Sequence, residues 1–210
     1  SKLIQNARGN VHKMIKYLKK GKPEEEKSAD DSNIKTQVQQ ILDEITKNGD
    51  QAIRSLSERF DKHSPASFRL SEVEIEESIA KISKRDREDI IFAQSQVRKF
   101  AELQLKSINN IEHETLPGVI LGHRNIPVES VGCYVPGGKF PMVASAHMSI
   151  VTAKVAGVKR IAASAPVQGG EPYPAIIAAM HFGGATEIYT LGGIQAVGAM
   201  ALGTETISPV

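Results

Sequence analysis

Two junctions with paired glycines are the places in this chain best suited to chemistry. The first is Val131-Gly-Cys-Tyr-Val-Pro-Gly-Gly-Lys139, a short apolar run that enters a Pro-Gly-Gly turn ahead of a small-residue helix expected over 141–156. The second is Ile188-Tyr-Thr-Leu-Gly-Gly-Ile-Gln195. A glycine pair between a strand and a helix lets backbone N–H groups approach a ligand closely and presents a helix N-terminus to negative charge. Two such turns in one parallel sheet would seat a nucleotide cofactor. A Gly137-Gly138 pair alone is weak evidence for this, since it also makes a plain tight strand-to-helix connection, and the spacing is not the G-x-G-x-x-G fingerprint.

The side chains around the turns sharpen this only in part. Tyr134 at a strand end can stack on a planar ring and keep its hydroxyl wet, or pack on the following helix. Gln195 offers a carboxamide that both donates and accepts, suited to a ribose or an amide, or it is a plain polar residue at a helix start. Lys139 could meet a phosphate, though a lysine beside a turn is usually solvated. His147, between Ala146 and Met148, reads as an acid/base group or ligand on one view and as a satisfied packing residue on the other. Cys133 and His181 read as core or near-core. His12, His63, His113 and His123 lack the i, i+4 pairing of a helical metal site. No local Ser-His-Asp order, paired-carboxylate motif or P-loop is present.

The elements that must hold these residues follow from periodicity. Residues 1–33 are polar and read as an arm, with Met14 as a natural start and 1–13 as added sequence. Val38, Ile41, Leu42 and Ile45 make one helical stripe, Gly49 sits at a C-cap, and Asp50 opens a second helix carrying Ile53, Leu56 and Phe60. Ser71-Glu-Val-Glu74 is a capping box ahead of Ile75, Ile79 and Ile82. A longer helix over 85–106 carries Ile90, Ile91, Val97 and Phe100. A hairpin is expected across Pro117-Gly118. From residue 128 the chain alternates: strands over 130–135, 160–165 and 187–191, helices over 141–156, 173–182 and 194–202. That βαβαβα order predicts an α/β fold with a parallel sheet and right-handed crossovers. The expected organisation is an arm over 1–33, a helical region with a hairpin over 34–127, and a nucleotide-binding domain over 128–210.

Composition narrows the function classes. The chain has 210 residues, 40% hydrophobic and 24% charged, which suits a globular protein with a sizeable core. A net charge of +2 gives no strong pull toward nucleic acid or an anionic membrane. No apolar run reaches membrane-spanning length and no signal sequence is expected, which makes the cytoplasm the default location. One cysteine excludes an intrachain disulfide.

The glycine blocks, with Thr152-Ala-Lys-Val-Ala-Gly-Val158 and Ala201-Leu-Gly-Thr-Glu-Thr206, resemble the histidinol dehydrogenase family. Asn48-Gly-Asp50, Glu58-Arg-Phe-Asp61 and Pro117-Gly-Val119 extend the resemblance over residues 34–210. It implies a helical N-terminal region followed by an incomplete Rossmann-like parallel sheet with helices on both faces. It further implies a homodimeric, zinc-dependent, NAD-linked enzyme that takes a small polar primary alcohol to the aldehyde and then the carboxylate. Tyr134 and Gln195 match the family's NAD-contacting positions, Pro136 lines the same site beside Gly137 and Gly138, and Phe60 is a further candidate. The family's Glu-His acid/base pair and its zinc ligands are expected beyond residue 210, so no catalytic or metal-binding residue is assigned here and this chain alone is expected to be inactive. The Ala-His-Met form at 146–148 and the Met14-Ile-Lys-Tyr-Leu-Lys-Lys20 opening look more like the sulfopropanediol dehydrogenase branch, which oxidises 2,3-dihydroxypropane-1-sulfonate, than like the oxidisers of L-histidinol. The competing class is a non-catalytic nucleotide-binding or interaction module.

Overall fold

The structure, a computed structural model, describes residues 24–137 and 140–210. Gly138 and Lys139 lie outside the described residues, as does most of the expected 1–33 arm. The chain divides into two compact units, 1–39 and 40–210. The described part of the first is helical. The second holds the three-stranded sheet and, among the described residues, every buried core residue.

Helix α1 (Glu24–Asp61) turns at Gly49, whose φ of 50° and ψ of −128° are costly for any residue with a Cβ. The expected C-cap and the expected new start are both present, joined end to end. The new helix start is tied to the far end of the chain: Asp50 N donates to Glu205 Oε2 at 2.7 Å, and Thr206 Oγ1 donates to Asp50 Oδ1 at 3.0 Å. Helix α2 (Glu72–Ala80) has its capping box, with Glu74 N donating to Ser71 Oγ at 3.3 Å and Ser71 N to Glu74 Oε2 at 2.7 Å. Helix α3 (Lys84–Lys106) departs from its expected stripe. It buries Ile90, Gln94 and Ala101, while Ile91 and Phe100 are exposed. Its inner face is chosen by what it meets, and a polar Gln94 with partners on both neighbouring helices belongs there.

Strands β1 (Ile111–Leu116) and β2 (Val119–His123) form the expected antiparallel hairpin, and all of its residues are exposed. The parallel sheet is β3 (Ser130–Tyr134), β4 (Arg160–Ser164) and β5 (Glu187–Tyr189), in that order across the sheet. After β3 come α4 (Val143–Ala146), a π-helical turn (His147–Val151) and α5 (Thr152–Val155), replacing the single helix expected over 141–156. Helix α6 (Pro174–Gly183) joins β4 to β5, and α7 (Gly193–Leu202) follows β5. Pro174 starts α6 and Gly184, at φ 102°, ends it.

Alternation along the strands sends side chains to two cores. Cys133, Val135, Ile161, Ala163 and Ile188 pack with Ile75, Ile90, Ile150, Ile176 and Met180 from α2, α3, the π turn and α6. Ala162, Tyr189 and Leu191 pack with Ile45, Ile53, Leu56, Ala196 and Met200 from α1 and α7. The sheet is therefore covered on both faces, the α/β arrangement that a buried parallel sheet requires. Each buried isoleucine contributes roughly 1.5–3 kcal/mol relative to exposure. Both cores draw on residues from before and after residue 127. The outer edge of β5 is closed by the segment 68–70, where Leu70 N donates to Ile188 O at 2.9 Å and Thr190 N to Phe68 O at 2.8 Å.

Candidate cofactor site

The C-terminal ends of β3, β4 and β5 bring the two glycine turns together. Tyr134 is the last residue of β3, and its hydroxyl oxygen accepts from Gly193 N, the first residue of α7, at 3.0 Å. The strand end is thereby linked to the helix start across the middle of the sheet. Tyr134 is half-buried against the α1 and α7 core, so the ring has one packed side. The hydroxyl accepts one bond and still has a proton to donate.

The glycines are explained by the protein itself. A Cβ on Gly137 would meet Ile176 Cδ1 at 3.3 Å and Pro166 Cγ at 3.4 Å. A Cβ on Gly192 would come within 2.7 Å of Pro166 Cβ and 3.2 Å of its Cα. Both turns thus close on Pro166, two residues past the end of β4; Gly137 leaves tight room there, and Gly192 leaves none for a Cβ. Gly193 differs: it is exposed, its φ is 63°, and a Cβ there would lie 2.9 Å from Gln195 Oε1. The Gln195 carboxamide is thus packed directly beneath the bare Cα at 193, with Oε1 the nearest of its atoms.

Gln195 is only 2% exposed, so it is no ordinary helix-start polar residue. Its Nε2 donates to Asp61 Oδ2 at 3.0 Å, from the last residue of α1. Burial raises the Asp61 carboxyl above its ordinary pKa, opposed by the Gln195 hydrogen bond and then by nearby His63. His63 is lowered by burial, opposed by Asp61 and Glu58, and its Nε2 lies 3.2 Å from Thr190 Oγ1. Asp61, Thr190 and Pro166 were not among the residues the sequence singled out. Asp61 stands in the Glu58-Arg-Phe-Asp61 block, but its partner is 134 positions away and no local spacing reveals the contact.

The other candidates are more scattered. Phe60 is half exposed, with the Arg59 guanidinium 5.0 Å from its ring centroid, so Asp61 rather than Phe60 is the α1 residue that touches Gln195. Pro136 is exposed beyond β3, and its carbonyl accepts from Met142 N at 3.2 Å. His147 is buried, accepts at Nδ1 from Gln94 Nε2 at 3.2 Å, and is lowered by burial. The same Gln94 nitrogen donates to Ala179 O at 2.8 Å, so His147 belongs to a polar bridge between α3, the π turn and α6. Cys133 is buried, as expected, and its thiol is pushed up by burial. His181 is exposed, contrary to expectation: it sits on the outer side of α6, next to Phe182, where helical phase turns it to solvent. Among the described residues no group of three His, Cys, Asp or Glu side chains could hold a metal ion.

Comparison with known proteins gives the family. The histidinol dehydrogenase family model matches residues 24–210. The chain belongs to the histidinol dehydrogenase family. It is 53% identical over 197 residues to the histidinol dehydrogenase homolog of Shouchella clausii, covering 94% of this chain and 46% of that protein. It is 43% identical to the sulfopropanediol 3-dehydrogenase of Ruegeria pomeroyi, covering 90% of this chain and 43% of the relative. The crystal structure of histidinol dehydrogenase from Elizabethkingia anophelis aligns with a TM-score of 0.79 at 31% identity, over 93% of this chain and 42% of that one. The chain spans less than half the length of these relatives. Its mixed α/β architecture is shared with the solved histidinol dehydrogenase. Among the described residues no helix is long and apolar enough to cross a membrane.

Proposed function

We propose that this chain is the nucleotide-side portion of an NAD-dependent, zinc-dependent dehydrogenase that oxidises a small polar primary alcohol through the aldehyde to the carboxylate. The observation that carries the reading is the meeting of Tyr134, Gly193 and Gln195 at the carboxyl ends of parallel strands, where open α/β sheets bind their ligands. NAD, when bound, supplies the hydride acceptor. This chain's own residues supply binding and orientation. Tyr134 offers a ring face held in place from behind and a hydroxyl with a proton to donate. Gln195 offers its oxygen beneath the bare Cα of Gly193. Pro136 gives an exposed apolar wall beside Tyr134, and Phe60 a further exposed ring. Gly137 shapes the turn by packing; Gly138 completes the pair in sequence but lies outside the described residues.

Zinc does not fit the donor set described here, so these residues are assigned no part in metal chemistry. His147 is assigned no part in proton transfer either, because its Nδ1 is taken by Gln94 inside a helix interface. On the substrate, 2,3-dihydroxypropane-1-sulfonate is favoured over L-histidinol by the Ala-His-Met form and by a relative named sulfopropanediol 3-dehydrogenase. The family reading makes the whole protein a cytoplasmic homodimer acting on a small molecule, with no nucleic-acid or membrane partner.

The test uses the full-length protein with zinc. NAD should raise its melting temperature, since a ligand that binds only the native state must stabilise it. The protein should then reduce NAD with the sulfonate diol faster than with L-histidinol. Turnover of histidinol alone removes the sulfonate assignment. No NAD-dependent stabilisation and no turnover would leave a non-catalytic module.

A further inference from the structure

We infer that Asp61 is a positioning residue that sets the orientation of the Gln195 carboxamide for ligand binding; the inference rests on the NAD reading above. A glutamine side chain has two nearly isosteric ends, and nothing in its shape decides which faces a ligand. Here the decision is made by Asp61. Its Oδ2 takes Gln195 Nε2 at 3.0 Å, and a carboxylate accepts but does not donate. The amide nitrogen must therefore face α1, and Oε1 must face the Gly193 turn, where a Cβ would come within 2.9 Å of it. The same Asp61 Oδ2 would lie 3.3 Å from a Cβ on Gly192, so the carboxylate also sits directly against the turn. Asp61 ends α1 and Gln195 stands in the first turn of α7. The contact thus fixes, from the end of α1, which amide atom of Gln195 is turned to the Gly193 turn. A hydroxyl or amide N–H of the ligand is the group such an acceptor receives.

The experiment measures NAD affinity of the full-length, zinc-loaded protein by titration calorimetry, alongside its melting temperature. Asp61→Leu removes the acceptor and should raise the NAD dissociation constant about tenfold, the ratio that corresponds to one hydrogen bond. Asp61→Asn keeps a carbonyl that can accept from Gln195 and should stay within about threefold of the native protein. Gln195→Ala should lose about as much as Asp61→Leu. The double variant Asp61→Leu/Gln195→Ala should lose no more than Gln195→Ala alone, because one residue acts through the other. Asp61→Ala serves in place of Asp61→Leu if the latter does not fold. Native affinity in Asp61→Leu while Gln195→Ala is weakened overturns the inference, as do losses that simply multiply in the double variant. Native affinity in Gln195→Ala instead overturns the NAD reading at this residue.

Discussion

At the scale of single residues, the structure separates groups that look alike in the sequence. Tyr134 and Gln195 sit at the meeting of the two turns, and each has one polar atom committed to the protein. Tyr134→Phe in the full-length protein leaves Gly193 N–H without its acceptor and should cost about 1 kcal/mol of stability in denaturant unfolding. Tyr134→Ala also removes the ring, and NAD affinity should then fall by a larger factor than in Tyr134→Phe. A large stability loss with native NAD affinity in both variants would assign the ring to packing. His147 is a different case. Its pKa is lowered by burial, so the folded protein resists protonation that the unfolded chain accepts. Its share of stability is complete above the unfolded value of about 6.5 and is lost as pH falls from there toward the lower folded value. His63 is shifted in the same direction, also by burial first, and adds to the slope. The drop in melting temperature between pH 7.5 and pH 5.5 should therefore be smaller in His147→Leu than in the native protein, and an equal drop would mean that His147 titrates as if exposed.

At the scale of elements, strand ends and helix starts are held by close approaches that only certain residues allow. Pro166, just past β4, receives both turns, one against Gly137 and the other against Gly192. Gly192→Ala forces a methyl to within 2.7 Å of Pro166 Cβ, beside backbone that cannot move aside. The expected cost is roughly 1–3 kcal/mol from overpacking, read as a lower denaturation midpoint. Weaker NAD binding should accompany it, because Tyr134 and Gln195 are placed by the same turn. An unchanged midpoint would show that the turn has slack. The capping box of α2 is a purely local device by contrast: Ser71→Ala should cost about 1 kcal/mol and leave the proposed cofactor site alone.

At the scale of the molecule, Arg160 is the main polar anchor of the chain's last residues. Its guanidinium donates to Glu187 Oε1 and Oε2 at 3.1 and 3.0 Å, and to the carbonyls of Ser208 and Pro209 at 2.8 and 2.9 Å. Glu187 is held below its ordinary pKa, first by the Arg160 hydrogen bond, against the opposing effect of burial. A depressed carboxyl stabilises above its unfolded pKa of about 4.3 and stops doing so as pH falls below it. Glu187→Gln should therefore be less stable than the native protein at pH 7, by about 1–2 kcal/mol once solvent screening is allowed for. The two should converge as pH falls toward 3. A difference that is constant with pH would exclude the ion pair as its source. Large apolar side chains also remain exposed, among them Phe92, Phe100, Leu103, Leu116, Ile120 and Val128. Expressed by itself, the 210-residue chain should self-associate, and light scattering that shows monomers at micromolar concentration would contradict this.

The sequence by itself determined what depends on near neighbours. The Ser71–Glu74 box, the two helices meeting at Gly49, the hairpin over Pro117-Gly118 and the βαβαβα order all follow from spacings of a few residues, and all are present in the fold. The family was legible in the same way, through short ordered blocks. Tertiary structure alone decided the rest, because the deciding contacts join distant positions. Gln94 is buried on α3 and Phe100 is not, since α3 meets the π turn and α6 on the face that carries Gln94. His181 is exposed because α6 already fills its inner face with Ile176, Ile177 and Met180. Asp61 meets Gln195 only because the sheet brings the end of α1 against the start of α7. A hydrogen bond across 134 residues leaves no period in a sequence, and only chain closure around a shared core makes it form.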